Sequence, residues 1–434
     1  MKNTNKNKST YVLTNGVILD GTRNMEPQRG KAIFVRDGKI AEIMPSERVP
    51  SGAERVDLGG KYIMPGLINM HVHLAGSGKP QKKQRDNARL VDMIMSTALT
   101  RSVAYKMVGG FALTELASGV TTIRTVGGLG SFDSRLRDDI AAGRCRGPRI
   151  LAANEGISVP GGHMAGSVAV AAHNNDEALA QLERARAQGV DLVKLMVTGG
   201  VLDAKEKGTP GELKMPREMI RAVCDAAHKM GYSVAAHVES TEGVRAALEG
   251  GVDSIEHGAK PDAEMISLFK ERGAFLCTTL SPALPYALFD RSISNASEVE
   301  QFNGNMVFEG IIDCARAALE NDIPLVLGND VGCPWITQYD FWRELYYFHK
   351  FVGAENSFAL YTATSSSAEL AGIGDITGSI APGLAADMIV TAADPLADLR
   401  ALRHVDMVIA CGEIMADPKF KRRKNVEAEL DKFL

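Results

Sequence analysis

One pattern constrains the fold of this chain more than any other. Short β-branched or apolar runs, each followed by a helical stretch, recur eight times between the first quarter of the chain and residue 330. The runs are GLINMHVHL, GVTTIRTV, PRILAANE, VDLVKLMV, YSVAAHV, VDSIEHG, GAFLCTTL and IPLVLGND. Between them the periodicity predicts helices over 176–188, 216–230, 242–249, 263–272 and 310–321. Strand-then-helix alternation is the mark of the α/β class. Eight such units in roughly 300 residues match a TIM-type (β/α)8 barrel, whose reactive groups sit at the C-terminal ends of the strands. A doubly wound sheet stays open as the alternative; it would carry a Gly-rich phosphate turn after its first strand. Here the first strand ends in His-Val-His-Leu.

The two ends of the chain have a different texture. Residues 11–65 and 380–415 read as short strands and turns, with Asp37-Gly38 a strong hairpin signal. A small β-sandwich built from both termini is therefore predicted over 9–65 plus 375–418, with the barrel over 66–374. Residues 419–434, beginning KFKRRKN, read as a solvated terminal helix. The charged, Met-rich stretch Lys79–Gly110 is long for a strand-to-helix loop and is expected to cap the barrel mouth. The first residues, MKNTNKNKST, lack the apolar core of a signal peptide and read as a loose tail.

Composition narrows the partners. With 45% apolar and 24% charged residues the chain sits in the ordinary range of globular enzymes. A formal net charge of −4 leaves no basic footprint, so nucleic acid is not an expected partner. No apolar run reaches the ~18 residues of a membrane helix. The six cysteines are scattered without C-x-x-C spacing, which fits reduced thiols and a cytoplasmic location. A homo-oligomer is compatible with such a chain.

Alternate residues of a strand face one side, so His71 and His73 point together. The pair reads either as ligands of a divalent ion or as a hydrogen-bonded core pair. Later runs add Lys194 inside an apolar strand, then His237, His257 and Asp330 at strand ends. Each has a bland reading, Lys194 as a snorkelling edge residue and the others as polar strand ends. Six such residues at the ends of strands 1, 4, 5, 6 and 8 are hard to explain that way.

In this order and setting the chain resembles the amidohydrolase superfamily over nearly its full length, from MPGLINMHVH to the closing IAPGLAADMIV. Within it, GGHMAG, VKLMVTGGVL, EHGAKPDAEMISLFKERGAFLCTTL and ATSSSAELAGI are similar to the dipeptidase and Xaa-Pro dipeptidase (prolidase-like) group, with imidazolonepropionase a more distant relation. The resemblance implies two divalent metal ions, zinc foremost. His71, His73 and Asp330 would hold one, His237 and His257 the second. Lys194, carboxylated by carbon dioxide, would bridge them. A metal-bridging hydroxide would attack a C–N amide bond, with Asp330 as ligand and proton carrier. The implied substrate is a dipeptide or an N-acyl amino acid. Opening of a cyclic amide such as an imidazolone, a non-catalytic metal-binding barrel, and deamination are the alternatives.

Two further residues are assigned to substrate. His163, after Gly161-Gly162, is expected to reach over the mouth, and Arg124 either meets a substrate carboxylate or forms an interior ion pair. The aromatic run YDFWRELYYFHKF reads as a pocket wall or a packed helix. The pattern departs from its relatives at Arg124-Thr125, at Gly328-Asn329-Asp330 and at Gln338, where Arg-Asp, Gly-Thr-Asp and a histidine are usual.

Overall fold

The computed structural model describes residues 10–81 and 86–434, so the extreme N-terminal tail and part of Lys79–Gly110 lie outside the described residues. The chain divides into two compact units. One comprises residues 1–68, 114–122 and 354–421, the other 69–113, 123–353 and 422–434.

The first unit holds two sheets. One orders its strands Lys39–Pro45, Lys31–Arg36, Tyr11–Thr14 and Arg55–Asp57; the other runs Glu413–Ala416, Val405–Ala410, Met388–Thr391, Tyr62–Pro65 and Val17–Ile18. Both contribute to a single apolar core, Leu13, Ile33, Val35 and Ile40 from one, Ile63, Met388, Val390 and Ile409 from the other. The predicted hairpin forms at Asp37-Gly38. Both residues have positive φ, 55° and 79°, the primed turn that matches strand twist, and Arg36 pairs with Lys39 across it.

The second unit is α/β and built on a parallel sheet. Its order is Ala169–Ala171, Gly156–Ser158, Leu192–Met196, Ser233–Val238, Ser254–His257, Phe275–Thr278 and Leu325–Leu327, every neighbouring pair parallel. A separate three-stranded sheet orders Leu67–Val72, Val120–Thr125 and Arg149–Ala152. Backbone hydrogen bonds reach from this sheet to both sides of the larger one. Asp191 N–H donates to Ala152 O at 2.8 Å, Asp330 N–H to His71 O at 3.0 Å, and His73 N–H to Val331 O at 2.9 Å. The strands are buried on both faces, as continuous apolar runs require when helices cover a parallel sheet.

The helices between strands start where the sequence supplies caps. Asn174, Ser240 and Asp262 accept from the backbone N–H three residues on, opening Asn175–Ala187, Thr241–Gly250 and Ala263–Arg272. The helix expected over 310–321 is far longer, Glu298–Glu320, because Ser297 and Glu300 form a capping box at its start. That Ser-x-x-Glu signal is present in the sequence.

Two expectations change, and one pair of alternatives is resolved. The terminal segment is not solvated: in the helix Lys424–Leu430, Val426 and Leu430 are buried, and Asp431 pairs with the fully buried Arg343 at 2.5 Å. Among the described residues, none of 79–110 lines the central cavity; they form the helices Asn87–Met95 and Ala98–Ala117. The aromatic run is a packed helix, Phe341–Tyr347, with Phe341, Trp342, Tyr347 and Phe348 in the core rather than at the cavity. No helix among the described residues is long and apolar enough to cross a membrane.

Candidate active site

Strand periodicity and two backbone exceptions gather the side chains. His71 is the next-to-last residue of the strand Leu67–Val72, and His73 follows two residues on. Lys194 is central in Leu192–Met196, and His237 lies one strand over, in register with Glu256. Glu256 faces the interior, so strict alternation would turn His257 away. His257 takes φ of 71° and Asp330 φ of 53° instead, and both side chains line the cavity. Left-handed backbone at non-glycine residues costs on the order of 1–3 kcal/mol and persists where surrounding structure over-determines it. Gly328 allows the close approach: a Cβ there would lie 2.4 Å from the His71 Cβ.

The structure thus brings all six predicted residues to one cavity: His71, His73, Lys194, His237, His257 and Asp330. Imidazole centroids are 5.2 Å apart for His71 and His73, 4.9 Å for His71 and His257, and 4.7 Å for His237 and His257. Each ring has one nitrogen held by the protein. His71 Nδ1 meets Glu256 Oε2 at 2.8 Å, and His73 Nδ1 meets the Gly127 carbonyl at 2.9 Å. His257 Nδ1 meets Thr279 Oγ1 at 2.6 Å, and His237 Nε2 meets the Gly199 carbonyl at 3.3 Å. A carboxylate or carbonyl only accepts, so the proton of His71 and of His73 sits on Nδ1. Their Nε2 lone pairs then face Asp330 Oδ1, at 3.6 and 3.3 Å.

That arrangement sets lone pair against lone pair with no donor between. Asp330 Oδ1 and Lys194 Nζ are both buried and without a hydrogen-bond partner. Orphaned buried polar atoms are rare and costly. Burial holds the His73 ring at about 4, and it also holds the Lys194 amine down at about 8. Burial works against the charge of Asp330, yet His71, His73, His257 and Lys194 around it keep the carboxyl well below its usual range. Neutral imidazoles, an ionised carboxylate and an amine with a lowered pKa form a donor set for divalent cations. His71, His73 and Asp330 each bring one ligand atom within 4.8 Å of the others, and so do His237, Glu239 and His257.

The substrate assignments fare differently. His163 does line the cavity, its ring stacked on His237 at 4.0 Å and its Nδ1 held by Asp203 at 2.5 Å. Arg124 does not. Its Nε donates to Met70 O at 2.8 Å, Nη1 to Ser254 Oγ at 3.0 Å and Nη2 to Glu256 Oε1 at 2.7 Å, all in the interior. The guanidinium therefore has no fork left for a substrate carboxylate; it neutralises the carboxylate that orients His71.

Three residues outside the predicted set take part. Glu256 precedes His257 and was masked in the sequence by that neighbour. Asp203 stands 40 residues from His163 with no motif around it. Glu239 was legible: it lies two residues after His237, the same spacing that singled out His71 and His73. Its Oε2 is buried without a partner; burial, with Asp203 and Asp330 nearby, pushes it well above the usual carboxylate range. Most of the remaining cavity wall is apolar, including Met164, Met196, Leu202 and Pro282, with the Tyr286 phenol and the Cys333 thiol beside them.

Comparison with known proteins gives the family. The model of the amidohydrolase family matches residues 62–415. A crystal structure of a candidate prolidase from Bifidobacterium longum superposes with a TM-score of 0.86 at 35% identity, covering 98% of this chain and 99% of that one. A Xaa-Pro dipeptidase with methionine bound in its active site gives 0.83 at 29% identity, over 94% of this chain and all of that one. Ochratoxinase of Aspergillus niger is 22% identical over 422 residues, 90% of this chain and 82% of that protein. The chain belongs to the amidohydrolase family and is a hydrolase acting on carbon–nitrogen bonds.

Proposed function

We propose that this protein is a two-ion hydrolase of a small amide, a dipeptide of Xaa-Pro type or an N-acyl amino acid, acting in the cytoplasm. The observation that carries the reading is the facing of bare imidazole nitrogens and Asp330 Oδ1 at 3.3 and 3.6 Å around a buried, partnerless Lys194 Nζ. Only cations answer that set without adding protons. His71, His73 and Asp330 would hold one ion, His237 and His257 the other. Lys194, as a carbamate, would stand between them; carbamate formation needs the neutral amine that burial favours. When bound, the ions would lower the pKa of water toward ~7 and polarise the scissile carbonyl.

The chain's own residues do the rest. Asp330 is ionised and faces the cavity, so it can take a proton from the attacking water and return it to the leaving nitrogen. Asp203 fixes the tautomer and orientation of His163, whose other nitrogen is then presented to substrate. The apolar walls exclude water from the reacting carbonyl. In fold terms, the seven-stranded and three-stranded sheets are proposed to close into a (β/α)8 barrel over 66–374, through the hydrogen bonds at Ala152–Asp191 and His73–Val331. The terminal sheets, 9–65 and 375–418, would make the β-sandwich, their shared core supporting that reading.

The test is metal analysis of the purified protein followed by a panel of dipeptides and N-acyl amino acids. Two zinc equivalents and cleavage that frees the C-terminal amino acid are expected. Lys194→Ala is expected to abolish turnover, with partial return on adding short carboxylic acids. Full activity in that variant, or a fully loaded protein that cleaves nothing in the panel, sinks the proposal.

A further inference from the structure

The six-residue set leaves the two ions unequal. His71, His73 and Asp330 give one ion two imidazoles and a carboxylate, whereas His237 and His257 give the other imidazoles alone. Glu239 stands where the missing carboxylate belongs. It follows His237 by two residues, and together with His237 and His257 it brings one ligand atom per residue within 4.8 Å. This is the same criterion that the His71, His73 and Asp330 group meets.

We infer that Glu239 is a seventh ligand, completing a two-histidine, one-carboxylate site for the second ion and rendering its retention only partly dependent on Lys194. The inference rests on the two-ion reading above.

Three observations carry it. Glu239 Oε2 is buried and has no hydrogen-bond partner, although the carboxylate lines the cavity. The charged groups that act on it are Asp203 and Asp330, both carboxylates, so no protein cation answers it. The neighbouring rings are turned to serve the same point. His257 Nδ1 is taken by Thr279 and His237 Nε2 by Gly199 O, which leaves His257 Nε2 and His237 Nδ1 for the cavity. Two imidazoles and a carboxylate are a donor set for divalent transition ions. A buried carboxylate without a cation or donors is costly, and a dication removes that cost.

The consequence differs from a site held by a carbamate alone. Loss of carbon dioxide from Lys194 would loosen the bridge without emptying the second position, so the protein should keep two equivalents in bicarbonate-free buffer.

The full chain is stripped with chelator and reloaded with Zn²⁺, or with Co²⁺ as a spectroscopic probe, and each equivalent is titrated against a chromogenic chelator. Glu239→Gln, close in shape, should bind one of the two equivalents about 10–100-fold more weakly, since even outer partners of metal ligands act on that scale. The other equivalent should be unchanged, and the visible Co²⁺ band of the weakened equivalent should shift. Glu239→Asp should recover part of the affinity. Circular dichroism and the unfolding midpoint of the metal-free variants show whether the fold is kept. If Gln and Asp variants both bind two equivalents as tightly as the parent, the inference is overturned. It is overturned equally if Glu239→Gln keeps both ions but loses only substrates with a free α-ammonium, since the carboxylate then serves the substrate. A parent protein that takes up a single equivalent overturns the two-ion reading and this inference together, and needs no variant to be seen.

Discussion

Replacing Arg124 by methionine separates two roles that give opposite results. Arg124 is 4% exposed and Glu256 fully buried, and their pair at 2.7 Å is joined by bonds from Arg124 to Met70 O and Ser254. Methionine fills much of the volume but removes the guanidinium that pairs with Glu256, leaving neutral donors such as the His71 N–H and the Ser254 hydroxyl. Breaking a buried ion pair from one side costs about 3–5 kcal/mol, because the remaining charge stays desolvated. At roughly 2–4 °C per kcal/mol for a domain of this size, the unfolding midpoint should fall by on the order of 10 °C. On the proposed two-ion reading, the damage should reach metal binding as well. Glu256 orients His71, and loss of such outer partners weakens metal binding about 10–100-fold. Adding Glu256→Gln removes the orphaned charge, so the double variant should recover part of the stability while metal binding stays weak. The assays are thermal and urea unfolding of metal-free protein and chelator competition for zinc. A variant within about 1 kcal/mol of the parent, with zinc binding intact and KM raised only for substrates that carry a carboxylate, would refute this reasoning and return Arg124 to the substrate.

Other perturbations test neighbouring parts of the account. Gly328→Ala places a Cβ 2.4 Å from His71 Cβ and 2.6 Å from its backbone nitrogen, neither of which can swing away; a loss of about 1–3 kcal/mol and weakened binding of one ion are expected in unfolding and metal titrations. Asp133 is buried, and that burial raises its carboxyl to about 6. An unfolded aspartate titrates near 4, so the folded state loses stability as pH rises from about 4 to 6, by roughly 3 kcal/mol, and nothing further above. Asp133→Asn should lack that slope; parallel stability curves for parent and variant across this window would show the assignment to be wrong. Asp431→Ala removes a charged partner from the fully buried Arg343, leaving only Asp340 at 3.1 Å, and should cost about 1–3 kcal/mol in urea unfolding, whereas a truly solvated tail would give no change.

Much of the site was written locally. The strand runs and helix caps set the α/β pattern, because period-2 and period-3.6 patterning and capping chemistry act within a few residues. His71, His73, Lys194, His237, His257 and Asp330 were legible only as a set, since each polar residue alone has a bland reading as a core or strand-end group. Glu239 was legible by the same spacing rule, applied once more along its strand. What sequence could not decide were the partnerships across distance. Arg124 and Glu256 lie 132 residues apart, and only the packing of their strands turns a candidate substrate contact into the charge that orients His71. His257 follows an inward-facing Glu256, so its own inward direction depends on a positive φ that no alternation rule foresees. The terminal helix looked solvated because its charges dominate its composition, yet Val426, Leu430 and the Arg343–Asp431 pair dock it. Residue type and spacing fix which groups are available, since they act through the chain itself. Which lone pairs meet, and therefore what must lie between them, is set by contacts that only the closed tertiary structure makes.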